Sequence, residues 1–201
     1  MLSFLNSHSG ALNTIANFVM VFIWLFYFQL LLQSVRRERR SSLVISCTTS
    51  DDNVPKGIIA NMSEGRFYIQ NIIGASLTPG HEYSADLTEP GKDSLTHSLQ
   101  GPLGPGESLT TGPFSKLLER LVAVHPEAES GAFEQLDEIE FELTVIGVHG
   151  TNSKSVAAKR PFRLKRKSDG EFEVTVTRRT TQQIRNGRAR KQIVAHAANL
   201  R

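Results

Sequence analysis

Cysteine and tryptophan each occur once in the 201 residues, as Cys47 and Trp24. A lone thiol closes no intramolecular disulfide and gives no cysteine cluster for a metal, and it fits a reducing compartment. Positive charge is missing from the start: the first 35 residues contain no Lys or Arg. Negative charge is missing from the end, where residues 178–201 carry seven basic side chains and no Asp or Glu. No internal repeat is present. Hydrophobic residues make up 39% of the chain, enough for one ordinary domain with appendages and too many for wholesale disorder.

These gaps divide an unremarkable net charge of +3 into contrasting parts. Residues 36–40, Arg-Arg-Glu-Arg-Arg, are strongly basic. Residues 41–177 hold 12 Lys or Arg against 19 Asp or Glu and are acidic. The basic isoelectric point therefore belongs to two short segments and does not mark the whole chain as a nucleic-acid binder.

Residues 15–35 run without a charge, and Phe18–Phe28 is apolar or aromatic throughout. A helix of this length spans roughly 30 Å, the thickness of a bilayer's hydrocarbon core. Its apolar residues outweigh the amides of Gln29 and Gln33, which lie toward the interface end. A buried helix of a soluble protein would show a polar stripe, and none is present. A cleaved signal peptide would have basic residues before the apolar run and small ones after it; this run ends in Gln-Ser-Val-Arg-Arg. A helix lying flat in the interface would need a charged face. The sequence thus predicts one membrane-spanning helix. Arg36, Arg37, Arg39 and Arg40 follow it directly, so the positive-inside rule places residues 1–14 outside and the rest in the cytoplasm, at a plasma or inner membrane. The same arginines are positioned to bind anionic headgroups. In that topology the sequon Asn61-Met62-Ser63 never meets the glycosylation machinery.

Beyond the basic juxtamembrane segment, 36–41, the texture changes to short β-prone runs: Leu43–Thr49, Ile58–Met62, Phe67–Gly74, Glu82–Leu87, Glu138–Val148, Val156–Lys165 and Glu171–Thr177. Several alternate with period two, most clearly Ile139 to Val145. Ser168-Asp169-Gly170 reads as a hairpin turn, and residues 150–153 turn one run into the next. One helix interrupts the strands, opening at Pro113-Phe114-Ser115 and ending at His125-Pro126. A Gly- and Pro-rich loop, residues 101–106, precedes it. The pattern predicts a mainly β domain over 42–177, an immunoglobulin-like antiparallel β-sandwich with one short inserted helix, followed by a basic tail over 178–201. No Cys…Trp…Cys signature accompanies it.

Chemistry-bearing residues are sparse. His81, Glu82 and Asp86 form the best acid–base grouping, the basis for an alternative reading as a membrane-anchored, hydrolase-like enzyme. Strand alternation, however, turns His81 away from the other two. Cys47 lies in a β-run, where a cysteine is usually a small core residue. Residues 150–155 lack the glycine that a P-loop requires before its lysine. Glu138, Glu140 and Glu142 share one strand face that suits a cation or, more commonly, water. No cofactor or catalytic residue is predicted.

In the tail, Arg185, Arg188, Arg190 and Lys191 join the juxtamembrane arginines as candidate membrane-surface contacts. Residues 188–201 can form a helix with Ala189, Ile193, Ala197 and Leu200 along one side. The tail has no aromatic residue for base stacking, so nucleic acid is a poor fit. Lys159, Arg160, Arg163, Lys165, Arg166 and Lys167 make a second basic cluster. The sequence as a whole predicts a single-pass, membrane-anchored binding or scaffolding protein with an unidentified protein partner.

Overall fold

A computed structural model describes residues 9–38, 42–49, 53–89, 98–125, 133, 135–150, 155–167, 170–184 and 187–200, with backbone alone at 9, 11–12 and 35–38. The chain divides into two compact units, residues 1–40 and 41–201.

Among its described residues the first unit is one helix, α1 (Ser9–Glu38). Within it Asn13–Ser34 is long and apolar enough to cross a membrane, and none of this stretch is buried. Its 22 residues rise about 33 Å at 1.5 Å each. Apolar side chains occur on all sides, so α1 has no wet face to turn toward water.

The second unit is mainly β, and its described residues form two antiparallel sheets and two helices. The smaller sheet has the order β1 (Leu43–Thr49), β2 (Pro55–Asn61), β6 (Ser108–Pro113). The larger is built on β3 (Phe67–Ser76), β7 (Glu138–His149) and β8 (Ser155–Arg166), with β7 in the middle. Along the outer edge of β3 lie β4 (Ser84–Asp86) and β5 (Gly101–Leu103); along that of β8 lie β9 (Phe172–Val176) and β10 (Gln182–Ile184).

Period-two alternation sends Ile139, Phe141, Leu143 and Val145 of β7 inward, where they join Phe162 and Leu164 of β8 and Leu43, Ile45 and Ile59 of the smaller sheet in one core. The helix α2 (Phe114–Ala123) contributes Phe114, Leu117, Leu118 and Leu121, the spacing of one helical face. Phe114 packs edge-on to Phe141, with ring centroids 5.9 Å apart. Pro113 precedes the helix in extended conformation, where its lack of an N–H costs nothing.

The junction between β3 and β7 requires a glycine. The register slips between Ile69 and Asn71, a bulge opposite Gly147. A Cβ on Gly147 would sit 2.1 Å from the Tyr68 carbonyl oxygen. Only a residue without a side chain lets the backbones approach so closely.

Three strands depart from the sequence expectation. β5 and β6 arise in and after the Gly/Pro-rich segment read as loop; Pro102 is tolerated because β5 is an edge strand. β10 and α3 (Gly187–Asn199) bring residues that charge alone assigned to a tail onto the larger sheet. The β7–β8 and β8–β9 hairpins form as expected; residues 151–154, 168 and 169 of their turns lie outside the described residues.

Candidate functional site

Of the candidate membrane-surface residues, Arg39, Arg40 and Arg185 lie outside the described residues, and Arg36 and Arg37 lie in the last turn of α1 with only their backbone described. Arg188 and Lys191 are exposed on α3, and Arg190 is half-buried. The apolar stripe expected on this helix forms but faces inward. Ala189, Ile193, Ala197 and Leu200 pack on Ile73, Ile146, Ala157 and Ile184, on the face of the larger sheet opposite the main core. Ala197 is only 3% exposed, so in this conformation the stripe is not free to enter lipid. A second tie is the 3.2 Å hydrogen bond between Ser84 Oγ and His196 Nε2.

The predicted basic cluster of β8 is split by the pleat. Lys159 and Arg163 point outward and meet the acidic row of β7. Arg163 pairs with Glu138 at 2.9 Å and Glu140 at 3.6 Å, and Lys159 pairs with Glu142 at 3.1 Å. Two surfaces read separately in the sequence thus neutralise each other across one hairpin. Arg166 stacks over the Phe172 ring at 4.7 Å and donates to the Phe133 carbonyl at 2.9 Å. Among the described residues no group of acidic, His or Cys side chains is arranged to hold a metal ion.

Arg160 turns the other way, into the space between the sheets, and is 6% exposed. Its guanidinium donates to the carbonyl oxygens of Ile45, Arg178 and Arg179, the last two at 3.1 Å each. Thr181 Oγ1 accepts from the Ile45 N–H at 2.8 Å, and Gln183 Nε2 donates to the Leu43 carbonyl at 2.6 Å. Side chains from β8 and from 181–183 therefore hold the edge of β1. Their positions made no signal in the sequence, since a basic run reads as a wet face.

The His81, Glu82 and Asp86 grouping does not assemble. Asp86 accepts from Asn71 Nδ2 at 2.8 Å and from the Thr88 N–H at 2.9 Å, which commits the carboxylate to fixing β4 and the turn after it. Glu82 is exposed. His81 sits instead among Tyr83 and Phe133, with ring centroids 6.4 and 6.2 Å away. Cys47 is half-buried against the core, opposite Gly57.

A buried polar turn escaped the sequence reading. Asn61 is fully buried; its Nδ2 donates to the carbonyls of Gly65 (2.9 Å), Leu103 (2.9 Å) and Gly104 (3.1 Å), and its Oδ1 accepts from the Ser63 N–H at 3.1 Å. This Asx turn joins β2 to β3 and engages the amide that a glycan would need. His149 lies against Gly65, 5% exposed, its Nε2 without a hydrogen-bond partner among the described residues. Burial lowers its pKa from the ordinary histidine value.

Comparison with known protein families, characterised proteins and solved structures finds no match to the chain.

Proposed function

We propose that this chain is a single-pass membrane-anchored binding or scaffolding protein whose β-rich unit works on the cytoplasmic side. The observation that carries the reading is α1: 22 residues apolar on every side, none of them buried, leading into a run of arginines. A cleaved signal sequence would satisfy the length criterion equally. The absence of a basic start and of small residues after the apolar run favours a retained span.

In this reading Arg36, Arg37, Arg39 and Arg40 lie at the headgroups of the inner leaflet. Each contributes about 1 kcal/mol toward an anionic surface. Arg185, Arg188, Arg190 and Lys191 add charge without acyl-chain insertion, because the apolar stripe of α3 is packed on the sheet. A binding role fits a unit in which Asp86, Lys159, Arg160, Arg163 and Arg166 bond to neighbouring strands or turns. The hydrolase-like alternative gains no support from a dispersed His81, Glu82 and Asp86. The immunoglobulin-like class rests on strand number and spacing. The sheet orders β1-β2-β6 and β8-β7-β3-β4 follow the A-B-E and G-F-C-C′ orders of that fold, with no strand in the D position among the described residues, and this supports the immunoglobulin-like reading.

The test is fractionation of cells making the full chain. Membranes washed in alkaline carbonate should retain it at full length, and detergent should release it. Full-length chain in the carbonate supernatant, or a chain shortened near residue 35, would refute the anchor.

A further inference from the structure

We infer that α1 pairs with a second copy of itself through the face that carries Gln29 and Gln33; this rests on the membrane-spanning reading above. The two glutamines are one turn apart, about 40° around the helix, and so share a face. Both side chains are exposed, and neither amide has a hydrogen-bond partner among the described residues. Phe18, Phe22 and Leu25 continue the same face toward the N-terminus at spacings of four and three, the repeat that packs two helices side by side.

The chemistry of the face selects its occupant. A carboxamide is both donor and acceptor, so it is complementary to its own copy, whereas a lone carboxylate or ammonium is not. In hydrocarbon an unpaired amide is costly, and the nearest remedy is an amide on a neighbouring helix. Close backbone packing is not an option here, because residues 17–33 include no Gly, Ala or Ser. What remains is a seam of large apolar side chains closed by two polar rungs. A parallel pair related by a two-fold axis brings Gln29 to Gln29 and Gln33 to Gln33, at the end that leads into the arginines.

Cysteine cross-linking of the full chain in native membranes tests this. With Cys47 replaced by serine, single cysteines at Phe22 and Leu25 should oxidise to a disulfide dimer of two copies. Cysteines at Met20, Trp24 and Leu31, on the opposite face, should not. The double change Gln29→Leu with Gln33→Leu should lower the dimer association constant roughly five- to tenfold, as expected for two interhelical amide contacts. Cross-linking that is even around the helix, strongest on the opposite face, to a species of another mass, or indifferent to the double change would overturn the proposal. The same membranes are washed with alkaline carbonate. Retention without seam-specific cross-linking sinks the pairing alone, and loss of the chain sinks the membrane reading with it.

Discussion

Replacing Arg160 with methionine removes a buried cation that holds three backbone carbonyls and has no carboxylate partner among the described residues. Hydrogen bonds to a charged donor contribute about 1.5–3 kcal/mol each, which sets a ceiling of several kcal/mol. Two effects lower it. The Ile45 carbonyl keeps the Thr181 hydroxyl at 3.2 Å, and Arg178 and Arg179 are exposed enough for water to reach their carbonyls. Methionine also relieves the cost of burying a guanidinium while filling the space of its stem. The net expectation is a loss of about 2–4 kcal/mol. For a unit of this size that lowers the melting temperature by roughly 5–15 °C. Near-UV circular dichroism of the full chain in mild detergent reads the midpoint. Hydrogen exchange should show the Ile45 amide, bonded to Thr181 Oγ1, losing protection ahead of β7. Arg160→Lys should fall between, because one ammonium cannot span all three carbonyls. An unchanged or raised midpoint for Arg160→Met would show that the desolvation cost outweighs the bonds and that β1 is held by other means.

Other consequences are equally direct. Gly147→Ala places a Cβ against the Tyr68 carbonyl and should cost about 1–3 kcal/mol in denaturant unfolding, whereas the open Gly80 has space around it but a φ of +80° that disfavours alanine for a different reason. His149 has a folded pKa below its unfolded value, so its contribution is present above the unfolded pKa, near 6.5, and is lost as pH falls from there through the folded pKa. Unfolding midpoints measured between pH 8 and 5 should decline for the native chain, and His149→Phe should flatten that part of the decline. Ala197→Asp should release α3 from the sheet and make residues 187–199 exchange amide hydrogens rapidly, while Arg188→Glu with Lys191→Glu should leave the helix docked and weaken retention on anionic vesicles. Arg163→Ala breaks only half-exposed ion pairs and should change stability by less than about 1 kcal/mol.

Periodicity carried most of the fold. The runs at 43–49, 138–148 and 156–165 alternate or are unbroken enough to declare strands, and α2 announced itself by its leucine spacing and flanking prolines. What failed to register were β5, β6 and β10, whose pairing is decided by neighbours rather than by their own composition; β5 contains a proline, β6 ends in Gly-Pro and β10 reads Gln-Gln-Ile. Charge was the least reliable guide. A basic run on β8 and an acidic run on β7 look like two binding surfaces until register sets Glu140 opposite Arg163. Arg160, one residue out of phase with Lys159 and Arg163, is turned inward by the same pleat. The stripe on α3 was legible, but its docking partner was not, because Ile73, Ile146, Ala157 and Ile184 come from four separate strands.

The position of Cys47 tests the central claim most directly, since it is the chain's single thiol and lies beyond the arginines. A membrane-impermeant maleimide applied to intact cells should leave it unlabelled, and labelling should appear once the membrane is permeabilised and the β unit is unfolded to uncover this half-buried side chain. To separate shielding by the fold from shielding by the membrane, a cysteine at exposed Ser42 serves as the second reporter, labelled on permeabilisation alone. Labelling of Ser42→Cys in intact cells would place the β unit outside and contradict the account.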